Sequence, residues 1–237
     1  MRPDAPPLDV ARHFGPLAER YDEVFDATPG LEAINRLELA VIRRRLGDVA
    51  GRRVLDAGMG TGRLARLLTD AGAEVVGVDL TAEMLARARR RVPEAGAVIA
   101  RVGVPLPFAD RAFDDIVCIR VLKYFAGWSA AFEELRRVLR PGGRLVVEIA
   151  NRRSIARWGY GDLAVRLGTV AETRSLLRGA GFLPLAGDAG TRLPLAVFRR
   201  PGRRVARVAG GIEAAAARAL GGTALARSVF ITSELPA

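Results

Sequence analysis

The chain is predicted to adopt an α/β fold with a doubly wound, mostly parallel sheet, and three observations predict it. Short β-branched runs alternate with amphipathic helical stretches. A glycine-rich loop, Gly58, Gly60 and Gly62 within "VLDAGMGTG", follows directly on the first apolar run. An acid, Asp79, closes the second run 19 residues after Gly60. In such sheets ligands bind beyond the C-terminal strand ends, so the loops there are expected to carry function.

The elements follow in order. Apolar residues at 31, 34, 37, 41 and 42 mark one face of a helix from Leu31 to Leu46. "RRVLDAG" is the first strand, and "GRLARLLTDAG" is a helix stopped by Gly72. "AEVVGVDL" is the second strand, followed by the helix "TAEMLARARRRV" with Thr81 as N-cap and Glu83 in its first turn. "AVIARV" and "FDDIVCIRV" are the third and fourth strands. "SAAFEELRRVL" is a helix closed by the turn "RPGG", "RLVVEIAN" is the fifth strand, and "TVAETRSLLRGAGF" is a helix ending at a glycine. The tail reads as strand, helix, strand: "LPLAVFRR", an alanine-rich helix near 205–220, and "ARSVFITS". Residues 1–237 contain no internal repeat or low-complexity linker, and the length suits one domain with one large core.

Composition narrows the setting. No apolar run approaches the ~18 residues of a membrane span, because arginines interrupt every candidate. The N-terminus "MRPDAPPLDV" has no continuous apolar stretch of the secretory kind. The single cysteine, Cys118, lies in the apolar run "IVCI" as a structural thiol, which suits a reducing cytoplasm. The net charge is +11, but 36 of the 37 basic residues are arginine and they are scattered among helices. That pattern fits a compositional bias better than a nucleic-acid surface. No Cys/His cluster or carboxylate pair has the spacing of a metal site.

The glycine loop departs from the phosphate-binding patterns. A dinucleotide fingerprint would put its third glycine at Arg63, one residue beyond Gly62, and a P-loop would need a lysine. Asp56, two residues before Gly58, would repel a phosphate but suits a cationic group. Asp79 can accept both hydroxyls of a ribose. Leu80 and Met84, one helical turn on, can flank a flat base. A nucleoside with a cationic amino-acid tail meets these requirements, and S-adenosylmethionine is such a molecule.

At these residues the chain resembles the class I S-adenosylmethionine-dependent methyltransferases, specifically the small-molecule group with the ubiquinone and menaquinone methyltransferases. The matching segments are "VLDAGMGTG", "VVGVDLTAEMLARAR", "LPFADRAFDDIVCIRVL" and "ELRRVLRPGGRLVVEIAN", in the family's order. The resemblance implies a Rossmann-like seven-stranded sheet whose last strand, "ARSVFITS", is antiparallel. It also implies a helical lid and lead-in helix over 1–46, a cofactor-binding half over 47–151 and a substrate-side half over 152–237. Carried over by position, Asp56, Ala57, Gly58, Met59, Gly60 and Gly62 hold the methionine end of S-adenosylmethionine. Asp79 takes the ribose, while Leu80, Met84 and Ile119 border the nucleoside. One position departs: where the family has an acid for the adenine amino group stands Val102, leaving the backbone N–H of Gly103 to serve adenine. A hydrogen bond lost in this way is worth ~1 kcal/mol.

Methyl transfer from a sulfonium is a direct displacement, so positioning and water exclusion are the main requirements. Candidates for a general base or for contact with the reacting atoms are His13 and Tyr21 in the lid and Tyr124 after the fourth strand. Each has plain packing as its alternative. Lys123, Asn151, Arg152, Trp158 and Tyr160 are candidates for binding the acceptor, a small molecule of planar or anionic character. A monomer or homodimer acting by O-, C- or N-methylation is expected. An RNA or protein methyltransferase, or a non-catalytic relative with Val102 as its mark, are the alternatives.

Overall fold

The computed structural model describes residues 7–154, 165–220, 222–223 and 225–237. Seven strands form one sheet in the order β3-β2-β1-β4-β5-β7-β6. They are β1 (Arg53–Ala57), β2 (Glu74–Asp79), β3 (Gly96–Ile99), β4 (Phe113–Cys118), β5 (Leu139–Ala150), β6 (Leu183–Ala189) and β7 (Ser228–Glu234). Strands β1 to β5 pair in parallel, and β7 runs antiparallel between β5 and β6, as expected for "ARSVFITS". The inner strands bury side chains on both faces, which explains their near-continuous apolar runs.

The helices are α1 (Pro7–Phe14), α2 (Glu23–Asp26), α3 (Pro29–Leu46), α4 (Arg63–Asp70), α5 (Ala82–Arg91), α6 (Ser129–Val138), α7 (Val170–Gly179), α8 (Leu195–Phe198) and α9 (Arg203–Leu220). One face of the sheet packs around Phe132, Leu135 and Leu177, the other around Ile42, Leu68 and Leu85. α7 starts with a reciprocal cap, in which the Thr169 hydroxyl accepts from Glu172 N–H and the Glu172 carboxylate accepts from Thr169 N–H.

Four expectations are corrected. The sixth strand is not "LPLAVFRR" but residues 183–189, and 195–198 form the short helix α8. Strand β6 is an edge strand with Pro184 in it and no β-branched residue, so propensity and alternation both hid it. The "RPGG" stretch is drawn into β5 across a register shift, and Gly142, at φ +76°, provides the bend. The inner stripe of α3 runs through Glu38, while Leu37 is exposed. Thr81 occupies the N-cap of α5 but its hydroxyl makes no cap bond.

The N-terminal segment is strapped across the glycine loop. The Thr61 hydroxyl donates to Asp22 (2.7 Å), Arg91 Nη2 donates to the same carboxylate (2.5 Å), and Arg87 and Arg90 each reach Glu19 at 2.6 Å. Burial alone would raise the Asp22 carboxyl, but the Arg91 and Thr61 hydrogen bonds hold it below the usual range.

Candidate active site

At the C-terminal ends of β1, β2 and β4 the loops border a solvent-open cleft of about 750 Å³, and a second open recess of about 400 Å³ adjoins it. Tyr21, Gly58, Gly60, Ile119 and Arg120 border both spaces. The glycine loop sits between them for a steric reason. Gly58 has φ +100°, and a Cβ there would lie 2.0 Å from the Val121 side chain. Gly60 has φ +55° and opens onto empty space, so its backbone is the surface a ligand meets. The N–H groups of Gly58 and Met59 are held by Val78 O at 2.8 and 2.9 Å, which ties the loop to β2.

Two acids frame this loop. Asp79 accepts from Gly60 N–H (2.8 Å) and from Thr81 N–H (2.9 Å), one bond on each oxygen, so the carboxylate is held in a fixed plane at the cleft wall. Burial raises its pKa. Asp56 is buried in the smaller recess, and its Oδ2 has no hydrogen-bond partner among the described residues. Burial pushes this carboxyl up to about 7, against the opposing charge of Arg63. A buried acceptor without a donor is the environment in which a ligand ammonium gains most.

Cationic and aromatic groups complete the walls. Arg120 follows β4 with φ +64°, a conformation that costs a non-glycine residue roughly 1–2 kcal/mol. Its Nη2 donates to the buried Glu38 at 2.6 Å. Burial alone would raise the Glu38 carboxyl, but Arg120 and Arg63 hold it below the usual range. The guanidinium carbons of Arg63 and Arg120 lie over the Phe25 ring, 4.3 and 4.5 Å from its centroid. Edge-to-face contacts link Tyr124, Phe14, Tyr21 and Phe25 in a chain, with centroid separations of 5.3, 5.7 and 5.5 Å. Burial raises the Tyr21 phenol, so its hydroxyl stays protonated. Lys123, expected at the acceptor, borders neither space; its Nζ stands 5.1 Å from the centroid of the cleft-lining Tyr124 ring. Burial lowers this amine to about 8, with Glu148 opposing and Arg120 and Arg227 adding to the shift. Glu148 is itself buried on β5 with Oε2 unpartnered among the described residues.

The expected site residues divide by position. Gly58, Gly60, Asp79, Leu80, Met84, Val102, Ile119, Tyr21 and Tyr124 line the larger space, and Asp56 and Met59 line the smaller. Ala57 is fully buried at the end of β1, and Gly62 faces Ala88 of α5, where a Cβ would come within 3.1 Å. Both support the loop from behind. Gly103 lies one residue beyond the wall that Arg101 and Val102 form.

Three expectations need correction, one for a general base and two for the acceptor. His13 is exposed, because Val10 and Phe14 turn the opposite face of α1 into the cleft. Asn151 is buried and donates to Thr223 O (3.3 Å) and Ala226 O (2.8 Å), so its amide braces the end of β5 against the chain entering β7. Arg152 is exposed and lies 3.9 Å from Glu172 at the start of α7. Trp158 and Tyr160 lie outside the described residues. Arg63, Arg120, Glu38 and Phe25 were not anticipated. Arg63 directly follows the last loop glycine and Arg120 directly follows Ile119, so adjacency to the motif was the available signal.

These residues fit S-adenosylmethionine: a buried acceptor, Asp56 Oδ2, with no partner among the described residues, an open backbone at Gly60, a fixed carboxylate at Asp79 and an apolar slot between Leu80, Met84 and Val102. Among the described residues no group of three or more His, Cys, Asp or Glu is placed to hold a metal ion, and no helix is long and apolar enough to cross a membrane.

Comparison with known proteins agrees with this geometry. Residues 55–147 match the family model described as a methyltransferase domain. Among solved structures the fold is shared by the cyclase SpnF (TM-score 0.73, 20% identity, 96% of each chain). It is also shared by geranyl diphosphate C-methyltransferase from Streptomyces coelicolor (TM-score 0.66, 18% identity, 86% of this chain and 80% of that one). Residues 55–147 thus form a methyltransferase domain, and the fold around it is shared by S-adenosylmethionine-dependent methyltransferases. In sequence the chain is similar to the quinone methyltransferases. It is 39% identical over 144 residues to demethylmenaquinone methyltransferase of Beutenbergia cavernae, covering 61% of this chain and 59% of the relative. It is 30% identical over 162 residues to ubiquinone biosynthesis O-methyltransferase of Idiomarina loihiensis, covering 67% and 66%. The chain thus spans about three fifths of the length of the first curated relatives it matches.

Proposed function

We propose that this chain transfers a methyl group from S-adenosylmethionine to a small, planar acceptor of quinone-related or isoprenoid-related chemistry. The observation that carries the reading is Asp56 Oδ2, buried without a hydrogen-bond partner among the described residues, in the recess that the open backbone of Gly60 also borders. The names of the sequence relatives, which act in menaquinone and ubiquinone biosynthesis, support the acceptor class. When bound, S-adenosylmethionine supplies a methyl group already activated for displacement. Asp56 holds the amino-acid tail, Asp79 the ribose, and Leu80, Met84, Ile119 and Val102 enclose the base. The rings of Phe14, Tyr21 and Tyr124 roof the cleft, exclude water and offer apolar faces to a flat acceptor. Tyr21 stays protonated, so its hydroxyl is a donor for the acceptor's oxygen. Lys123, half neutral near pH 8, does not border the cleft itself but stands behind the Tyr124 ring, where it takes the proton of a phenolic or enolic acceptor that reaches past that ring, or pairs with the oxyanion once formed. A cytoplasmic setting suits the lone buried Cys118, whose thiol burial pushes well above its ordinary range.

The test begins with calorimetry using S-adenosylmethionine and S-adenosylhomocysteine. Binding at micromolar concentration is expected, and its absence at millimolar ligand would sink the reading. Methyl transfer is then assayed on reduced naphthoquinone and benzoquinone acceptors. The rate should rise through pH 8 in the natural protein and lose that step in Lys123→Met.

A further inference from the structure

The long helix α9 (Arg203–Leu220) presents a surface that the cleft does not use. Ala209 is buried with Leu31, Ile34 and Phe198, which anchors the helix on α3. Beside that buried face, Val205, Val208 and Ile212 are 37%, 64% and 52% exposed, at a spacing that places them along one stripe. Arg199, Arg200, Arg203, Arg204 and Arg207 are all exposed around the start of the same helix. Residues 189–212 contain no acid, so nothing in the segment neutralises them. The charge that looks scattered along the whole sequence is therefore concentrated here, next to aliphatic side chains in water.

The location ties this surface to the cleft. The Thr28 hydroxyl donates to Phe198 O at 2.5 Å, just before α9 begins. A Cβ on Gly30 would lie 2.6 Å from that same carbonyl oxygen. Thr28 caps α3 just after α2, whose Phe25, with the nearby Tyr21, lines the smaller recess. The arginine-rich end of α9 thus adjoins the lid.

We propose that the N-terminal half of α9 docks on an anionic lipid surface, with Val205, Val208 and Ile212 entering the headgroup boundary and the five arginines meeting lipid phosphates. Charge complementarity selects this occupant. Aliphatic side chains beside long cationic ones, whose stems lie along apolar surface while the heads reach phosphate, suit a bilayer interface. The stripe of three side chains is far smaller than the ~800 Å² per partner that a stable protein interface buries. The one aromatic residue of the segment 189–212, Phe198, is buried against Leu31 and Ile34, so the arginines have no exposed ring beside them to stack on a base, as a single-stranded nucleic acid would require.

The experiment is co-sedimentation of the full chain with phosphatidylcholine vesicles, with and without phosphatidylglycerol, and without any methyl acceptor, so it is independent of the proposed reaction. The chain is expected to sediment with the anionic vesicles and to remain in solution with the neutral ones. Both the double variant Val208→Asp/Ile212→Asp and the double variant Arg203→Glu/Arg204→Glu should weaken partitioning at least tenfold. Their melting temperatures and S-adenosylhomocysteine binding should be unchanged, since all four side chains are exposed and outside the cleft. Equal recovery with neutral and anionic vesicles, or wild-type partitioning by either variant, overturns the proposal. So does concentration-dependent self-association that Val208→Asp abolishes, which would assign the stripe to a second copy. Salt-resistant retention of RNA through the same arginines would overturn it as well.

Discussion

At the scale of single residues, Asp56 is a carboxyl group that burial has moved from 3.8 to about 7. The native chain keeps a proton there that the unfolded chain has released between those two values. Stability of the ligand-free protein therefore falls as pH rises through that window. A ligand ammonium favours the ionised form, so on our reading binding releases the proton and tightens as pH rises from about 6 to 8. Calorimetry in buffers of different ionisation heat should detect release of up to about one proton per S-adenosylhomocysteine near pH 6. Asp56→Asn should abolish both the release and the pH slope. Glu38 makes a different kind of prediction. It is the buried partner of Arg120, and Glu38→Ala leaves that guanidinium without its carboxylate. A loss of roughly 3 kcal/mol in urea denaturation is expected, with a smaller loss for Glu38→Gln.

At the scale of elements, β2 and the glycine loop depend on one close approach. A Cβ at Gly77 would lie 2.1 Å from Met59 Sδ and 2.8 Å from Met59 Cβ. A glycine in the middle of a buried strand is otherwise a weakness, and here it makes room for the loop's own side chain. Gly77→Ala should overpack this contact by roughly 1–3 kcal/mol. Because Met59 borders the smaller recess, cofactor affinity should fall together with stability, which titration of the refolded variant would show. Unchanged affinity at lowered stability would mean that Met59 shifts without moving the loop.

At the scale of the whole molecule, β7 closes the sheet from the far end of the chain. It pairs antiparallel with both β5 and β6, and Val229, Phe230 and Ile231 are fully buried. A chain ending before Ser228 would leave β5 with an open, apolar edge and β6 with no partner. Such a truncation is expected to lose cooperative thermal unfolding and to aggregate, as light scattering would show. A soluble, cooperatively melting truncation would mean that β1 to β5 fold on their own.

The local signals in this chain were strong wherever one element carried the meaning. Alternating runs identified β1 to β5 and β7, and the loop from Asp56 to Gly62 with Asp79 pointed to the place where the cleft lies. These features are legible because period, turn chemistry and motif spacing are properties of neighbouring residues. Strand β6 was not legible, since an edge strand with one exposed side relaxes the demand for β-branched residues. The clamp of Arg63 and Arg120 on Phe25, with Glu38 behind it, joins α2, α3, α4 and the end of β4, and no spacing rule connects positions so far apart. The same holds for His13 and Asn151, whose side chains were sent out of the cleft by the way α1 and the end of β5 pack. The sequence alone determined the fold class and the loop that borders the cleft, because neighbouring residues suffice for both. Only the tertiary structure decided which charges face each other in the cleft, because burial and the distance between remote side chains set the energy of each pair.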